Sequence, residues 1–196
     1  GEIVGSEEKR YIGQIDLSLS PKGLNQAAWW KEELSHVEFK KVYSSDLMRA
    51  VETARIVSGI SHLNIETTSQ LREINLGDWD GERMAHIKTR FPGAWKERGR
   101  HIRSFRTPNG ESFQDLHERV IPMFQKIVRE TYGNVLVVAH AGVNRMILCH
   151  VLKRPIQELF SVPQDYAALN QIEQQKGRLR VVSMNETPSE NRLLDC

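Results

Sequence analysis

The stretch Asn134–Gly142, which reads NVLVVAHAG, decides the fold class of this 196-residue chain. Its apolar run Val135–Ala139 contains no polar residue, which is typical of a strand buried on both faces of a parallel sheet. The residues from Gly142 to Leu152 then follow a helical pattern that ends before Pro155. His140 therefore lies directly after a strand and before a helix, where ligands bind in open α/β sheets.

The same order of strand and helix recurs outward from this stretch. Phe39–Ser44 (FKKVYS) predicts a strand, and Asp46–Val57 has apolar residues at helical spacing. This alternation predicts a three-layer α/β/α sandwich with a mostly parallel central sheet, and residues 78–108 are expected to form a helical cap insertion. The other predicted elements are a helix Pro21–Leu34 capped by Ser20, a weaker strand Leu63–Thr67, a helix from Ser112 to about Glu130, and strands Ala168–Glu173 and Leu179–Met184 joined at Lys176-Gly177.

Composition limits the class of protein. Hydrophobic residues make up 39% of the chain and its formal charge is +2, so we expect a single globular domain over residues 1–196 rather than a disordered chain. There is no apolar run of membrane-spanning length and no signal peptide pattern. The two cysteines, Cys149 and Cys196, lack CxxC spacing, which indicates a reducing compartment and predicts a cytoplasmic protein.

The small net charge conceals a local asymmetry. The stretch Arg83–Arg106 contains eight lysines and arginines and one acidic residue, Glu97. A basic surface on an otherwise near-neutral chain favours an anionic ligand over nucleic acid, which usually makes a whole domain basic. A solvated helical face is the alternative interpretation.

Three residues are candidates for chemistry because of where they stand. His140 precedes a helix start, an anion-binding position, although it is also compatible with a core histidine. Arg49 follows the strand FKKVYS and has a guanidinium suited to phosphate, although Glu52 or Asp46 is an alternative surface partner. Glu73 has apolar neighbours that would raise its pKa toward that of a general acid, and a salt-bridged glutamate is the alternative.

Six motifs stand in a characteristic order along the chain. Together they resemble the histidine phosphatase (phosphoglycerate-mutase-like) superfamily, specifically its short bacterial branch of broad-specificity and α-ribazole phosphatases. The motifs are Gly1-Glu2, Arg10–Asp16 (RYIGQID), Ser44–Ala50 (SSDLMRA), Leu71–Gly81 (LREINLGDWDG), Gly110-Glu111-Ser112 and Val137–Gly142 (VVAHAG).

The resemblance implies phosphoryl transfer through a phosphohistidine, without a metal or other cofactor. Arg49 and His140 would hold the phosphoryl oxygens, and Glu73 would protonate the leaving alcohol and then activate water. The positions implied to bind phosphate or substrate are Gly1, Ser6, Gly13, Gln14 and Ala141.

The resemblance also concerns residues before Gly1. In the family, the nucleophilic histidine and a partner arginine immediately precede this position, so the first strand and the nucleophile are expected upstream of residue 1. Two positions depart from the family pattern. Ser6 stands where the family usually has an asparagine, and Ile3 stands where it usually has a residue with a hydroxyl or amide. These departures are expected to change the contacts of the phosphate pocket and not the class of reaction.

These observations predict a hydrolase of small-molecule phosphate esters, with α-ribazole 5′-phosphate or a broad substrate range as options. A phosphoglycerate mutase and a non-catalytic relative that binds phosphorylated ligands or proteins are the alternatives. No nucleic-acid or membrane partner is expected, and a homodimer remains an option. Asp78–Gly81 resembles the DxDG motif of another phosphatase class but lacks the apolar strand that should precede it.

Overall fold

The computed structural model describes residues 1–60 and 64–189. Three parallel strands form a sheet of order β2-β1-β3, in which β1 is Phe39–Ser45, β2 is Glu66–Thr68 and β3 is Asn134–Val138. Two further strands, β4 (Leu169–Gln175) and β5 (Arg178–Glu186), form an antiparallel hairpin. The helices are α1 (Pro21–Glu33), α2 (Met48–Ser58), α3 (Met84–Arg90), α4 (Pro92–Arg100), α5 (Phe113–Glu130) and α6 (Ala141–Leu152).

The side chains of strand β1 show that the sheet has a layer of helices on each face. Successive side chains of a strand point to opposite faces of the sheet. Val42 is buried in one apolar cluster together with Trp30 of α1 and Ala54 of α2. Tyr43 is buried in a second cluster that contains Leu116 of α5 and Val143 of α6. Both faces of β1 are therefore covered by helices, and the predicted α/β/α sandwich is confirmed.

Local sequence signals place most elements correctly. Ser20 caps α1 through a hydrogen bond from the Gly23 N–H, and Ser112 forms a capping box with Asp115 at the start of α5. The hairpin of β4 and β5 turns where predicted, since Lys176 and Gly177 both have positive φ, as a type I′ turn requires.

One predicted strand is displaced. The weak candidate Leu63–Thr67 corresponds to β2, which begins at Glu66 and ends at Thr68. The position of β2 is set by its pairing with Tyr43–Ser45 of β1. The pattern of apolar residues within a short segment does not show which residues will pair with another strand. Leu63 lies outside the described residues, as does Cys196.

The topology brings the ends of two strands to one edge of the sheet. Ser44 of β1 pairs with Val138 of β3, so the segments leading into α2 and α6 leave the sheet side by side. Residues 78–108, expected as a helical insertion, contain α3 and α4. Over residues 1–60 and 64–189, no helix has the length and apolar character to cross a membrane.

Leu116 provides a test of the core between α5 and the sheet. Its exposed fraction is 0%, whereas Leu24 on α1 is 39% exposed. We expect Leu116→Ala to lower the free energy of unfolding by about 2–5 kcal/mol because it leaves a cavity. The matched Leu24→Ala should change it by less than about 0.5 kcal/mol. Urea denaturation measures both, and equal effects would contradict this description of the core.

Candidate active site

The centre of the site is the contact between Glu73 and the start of α6. The N–H of Gly142 donates to Glu73 Oε2 at 2.9 Å, and the N–H of Ile74 donates to Glu73 Oε1 at 2.9 Å. A Cβ atom on residue 142 would lie 2.3 Å from Glu73 Oε1. Only glycine at this position allows the carboxyl group to approach the helix terminus so closely.

Burial controls the protonation of Glu73. Its side chain is removed from solvent, and burial raises the pKa of the carboxyl group above its ordinary value. The two backbone hydrogen bonds act in the opposite direction, as do the charges of Arg49 and Arg119. Burial outweighs them, so Glu73 keeps its proton to higher pH than an exposed glutamate, which suits a general acid.

His140 stands at the N-cap position of α6, where its side chain makes no capping hydrogen bond, and it is also buried. Burial and the positive charges of Arg49 and Arg119 lower the pKa of its imidazole well below the ordinary value. Its Nε2 atom has no hydrogen-bond partner in the described part of the chain. A buried polar atom is normally hydrogen-bonded, so a neutral ring nitrogen without a partner beside a cavity is suited to bind a ligand.

Arg49 is buried at the first turn of α2 and holds a neighbouring loop. It donates from one terminal nitrogen to the Ile15 carbonyl at 2.8 Å and from the other to the Gly13 carbonyl at 2.7 Å. The surface pairing considered from the sequence does not form. The two acids in question bind other arginines, Glu52 with Arg55 and Asp46 with Arg72.

Asp80 fixes the same loop from the other side. Its carboxylate accepts hydrogen bonds from the N–H groups of Gly13 at 2.7 Å, Gln14 at 2.7 Å and Ile15 at 2.9 Å. The loop is therefore clamped between one acidic and one basic side chain. This arrangement positions Arg49, because both carbonyls that receive its hydrogen bonds belong to the clamped loop.

Arg119 of α5 holds the segment that carries Glu73. It donates to the carbonyl oxygens of Arg72 at 2.8 Å and Glu73 at 2.9 Å. It also forms a two-point ion pair with Glu111, at 2.8 and 2.9 Å, and Glu111 accepts the N–H of Asn75 at 2.8 Å. The backbone before and after Glu73 is therefore held by Arg119 of α5 and by Glu111, which lies just before that helix.

A cavity of about 460 Å³ brings most of the predicted site residues together. Residues that were not predicted also line it, including Thr53, Asn144 and Tyr166. Of these, Thr53 and Asn144 had a usable signal in the sequence, since they stand one helical turn after the candidates Arg49 and His140. The predicted residues in the lining are Gly1, Arg49, Glu73, His140 and Ala141.

Three predicted binding residues are placed differently. Gly13 and Gln14 use their N–H groups on Asp80, and the Gln14 side-chain amide donates to the Glu73 carbonyl at 3.0 Å. Ser6 is half-buried in a turn after Ile3 and is not among the residues that line the cavity. No group of three or more His, Cys, Asp or Glu residues that could hold a metal occurs within residues 1–60 and 64–189.

The sequence did not reveal Asp80, Glu111 or Arg119 as parts of the site. In the sequence, Asp80 is only one residue of the motif Leu71–Gly81, and Glu111 is only one residue of the motif Gly110-Glu111-Ser112. Arg119 is one charged residue on the amphipathic helix α5, where charge is expected. Their importance follows from contacts between residues that are distant in the sequence.

Comparisons with known proteins give a consistent result. A model of the histidine phosphatase superfamily (branch 1) matches residues 1–187. The chain is 28% identical to the adenosylcobalamin/α-ribazole phosphatase of Escherichia coli, covering 97% of this chain and 96% of the relative. It is 30% identical to a glucosyl-3-phosphoglycerate phosphatase of Mycolicibacterium vanbaalenii, over 80% and 72% of the two chains.

A solved structure supports the fold. The α-ribazole phosphatase from Shigella flexneri superposes with a TM-score of 0.87, covering 95% of this chain and 93% of that one, at 24% sequence identity. At this identity the match concerns the three-dimensional arrangement, and it agrees with the parallel sheet flanked by helices described above.

Gly142 offers a test of the contact at the centre of the site. Gly142→Ala should lower the free energy of unfolding by about 1–3 kcal/mol, because the new methyl group displaces a buried hydrogen-bonded carboxyl group. Gly99 of α4 is the matched control, since a Cβ there has no neighbour within 4 Å. Gly99→Ala should raise stability by about 0.5–1 kcal/mol through helix propensity. If Gly142→Ala were as stabilising in thermal denaturation, the close approach to Glu73 would be disproved.

Proposed function

The chain belongs to the histidine phosphatase superfamily and is a phosphomonoesterase, and from that membership we propose that it hydrolyses small phosphate esters through a covalent phosphohistidine, without a metal. The observation that supports this proposal is the meeting of Arg49, Glu73 and His140 at one cavity. These three side chains supply a fixed positive charge, a carboxyl group with a raised pKa and a neutral imidazole.

In this mechanism, the protein binds the phosphoryl group by charge and hydrogen bonding. Arg49 and the Nε2 atom of His140 would contact the non-bridging oxygens, where negative charge is concentrated during transfer. Glu73 would donate its proton to the leaving oxygen as the P–O bond breaks. It would then accept a proton from the water that hydrolyses the phosphohistidine, which returns the enzyme to its starting state.

We propose that the nucleophilic histidine immediately precedes Gly1 and ends a strand. Support comes from the lining of the cavity, which includes Leu136 and Val138 of β3 together with Leu169 of β4. The cavity thus adjoins both the three-stranded sheet and the hairpin, and much of its wall is apolar. A strand in this space would pair with the edge of β3 and deliver its last residue next to Gly1, which also lines the cavity.

Hydrolysis is favoured over a mutase reaction by solvent access. Tyr166 lines the cavity and is 46% exposed, so the cavity is open to solvent beside this residue, which supports hydrolysis. A mutase must protect its phosphohistidine intermediate from water until the second substrate accepts the phosphoryl group.

The substrates proposed are α-ribazole 5′-phosphate or a broader set of small phosphate esters, and both options agree with the names of the relatives.

We propose a cytoplasmic location, since the described cysteine, Cys149, is a buried free thiol and such thiols suit a reducing compartment. Nucleic acid is not proposed as a partner. Arg83 and Arg106 of the basic stretch are paired with Glu8 and Asp115, which leaves less positive charge for phosphate backbones. A homodimer remains an option that sedimentation would test.

The first functional prediction concerns the three site residues and the nucleophile. The protein expressed from its complete gene should hydrolyse p-nitrophenyl phosphate in EDTA and form an acid-labile phosphoenzyme at the residue before Gly1. Arg49→Ala and His140→Ala should each lower kcat about 10²–10³-fold, as loss of a transition-state donor does elsewhere. No turnover, or unchanged activity in both variants, would refute the proposed mechanism.

A second prediction concerns Glu73 as the proton donor. Because its pKa is raised, the carboxyl group stays protonated in the folded enzyme above the ordinary range. The rate with poor alkyl leaving groups should therefore fall as the pH rises through this raised pKa. Glu73→Gln should slow alkyl phosphates about 10²–10⁴-fold and p-nitrophenyl phosphate much less, because p-nitrophenolate leaves without a proton.

The pH profile provides the control for that experiment. In Glu73→Gln, the decline in rate with alkyl phosphates that tracks the raised pKa should disappear. Equal losses with alkyl and p-nitrophenyl phosphates, together with an unchanged profile, would show that Glu73 does not transfer the proton.

A further inference from the structure

The backbone of Gly1 and Glu2 is held by side chains of helices α1 and α2. The backbone nitrogen of Gly1 donates to Thr53 Oγ1 at 3.3 Å, and that of Glu2 donates to Gln26 Oε1 at 2.8 Å. Gln26 is buried on α1, and Thr53 is half-buried on α2. Two helices therefore fix two residues that belong to no helix or strand themselves.

The same backbone packs directly against the start of α1. A Cβ atom on Gly1 would lie 2.4 Å from the Gly23 carbonyl oxygen, and one on Gly23 would lie 2.0 Å from the Glu2 carbonyl oxygen. Only glycine at both positions allows so close an approach of two backbone segments. The Glu2 carbonyl also accepts the N–H of Ser20 at 2.9 Å. Gly1 thus has α1 on one side and Thr53 on the other.

The Thr53 hydroxyl connects the backbone of Gly1 to that of Arg49. It donates its proton to the Arg49 carbonyl, one helical turn earlier, at 2.7 Å. A hydroxyl has one O–H donor and two acceptor lone pairs. Because the proton is committed to Arg49, the oxygen is left to accept from Gly1. One side-chain atom therefore sets the separation between these two backbone segments.

Helix geometry alone does not account for both bonds. A threonine in a helix often donates to the carbonyl four residues earlier, and Thr89 of α3 does so with Ala85 at 2.9 Å. Thr89 makes no other hydrogen bond within residues 1–60 and 64–189. Thr53 adds the bond from Gly1, and it lines the cavity together with Gly1 and Arg49.

We propose that Thr53, supported by Gln26, is a positioning residue that aims the nucleophilic histidine at phosphorus. This inference rests on the proposed function, in which that histidine immediately precedes Gly1, so Thr53 binds the peptide N–H that follows the nucleophile. As the bond from the histidine nitrogen to phosphorus forms, the bond from phosphorus to the leaving oxygen breaks, and Glu73 protonates that oxygen. Attack must be in line with the breaking bond. The Thr53 hydroxyl links the nucleophile to Arg49, which holds the phosphoryl group, and so controls this alignment.

Thr53→Val is the principal variant, since valine keeps the branched shape and lacks the hydroxyl. In rapid-quench experiments with p-nitrophenyl phosphate, it should slow phosphoenzyme formation about 10–10²-fold, as a small misplacement of reacting groups does, with little change in KM. Thr53→Ser keeps the hydroxyl and should restore most of the rate. The matched control Thr89→Val removes the same kind of helix bond at an exposed position and should keep the wild-type rate.

Two inhibitors separate a positioning role from a merely structural one. Inorganic phosphate needs only the groups that bind phosphoryl oxygens, whereas orthovanadate also takes the histidine nitrogen as a fifth ligand of vanadium. In buffer without EDTA, which binds vanadate, Thr53→Val should raise the inhibition constant of vanadate about tenfold and that of phosphate less than about twofold. A merely structural role would lower the melting temperature and leave the ratio of the two constants unchanged.

The second anchor keeps the test decisive if Thr53→Val does not fold. Gln26→Met removes the acceptor of the Glu2 N–H and keeps an unbranched side chain that fills the same space. It should also slow phosphoenzyme formation and weaken vanadate more than phosphate.

The outcomes distinguish this inference from the proposed function. An active wild-type protein whose rate of phosphorylation and inhibition ratio are unchanged in Thr53→Val, or in Gln26→Met where the former does not fold, would overturn the positioning role alone. A wild-type protein that neither hydrolyses phosphate esters nor forms a phosphoenzyme would overturn the proposed function, and the positioning role with it.

Discussion

The structure of the site depends on one contact, the buried carboxyl group of Glu73 against the N-terminus of α6. The first N–H groups of a helix have no partners within the helix, and the Glu73 side chain satisfies one of them. Helix α6 begins where β3 ends, and the segment around Glu73 follows β2. The contact therefore fixes the segment that carries Glu73 to the edge of the sheet where Arg49 and His140 also lie, and Arg119 binds the backbone of that segment.

Burial gives these groups their chemical character. Removal from water raises the pKa of Glu73 and lowers that of His140, so both favour their neutral forms. A protonated carboxyl group can donate to a leaving oxygen, and a neutral imidazole with an unpartnered Nε2 can contact a phosphoryl oxygen. Arg49 keeps the positive charge that an anion requires. A phosphate ester would thus supply the partner that the Nε2 atom of His140 lacks in the described part of the chain, next to a charged Arg49 and a buried Glu73.

The parts of the fold that could be predicted are those with local causes. The run VLVVA in β3, the Ser20 and Ser112 caps and the Lys176-Gly177 turn each act within a few residues, and all occur where expected. Strand β2 was misplaced because its limits are set by pairing with β1. The residues of the site likewise fall into those that a local sequence signal could identify and those that only tertiary contacts reveal. Arg49, Glu73 and His140 could be proposed because each stands next to a strand or in a recognisable motif, and the structure brings them to one cavity.

The sequence by itself determined the α/β class, the order of the elements and the identity of the three candidate catalytic side chains, since these follow from periodicity and from motifs read along the chain. Tertiary structure alone decided how those side chains are held and charged. The Asp80 carboxylate accepts hydrogen bonds from the N–H groups of Gly13 and Gln14, two residues that were expected to bind phosphate. The Arg98 guanidinium makes cation–π contacts with three aromatic rings from separate segments of the chain. Hydrogen bonds and burial depend on which distant residues become neighbours, and that information exists only once the chain has folded.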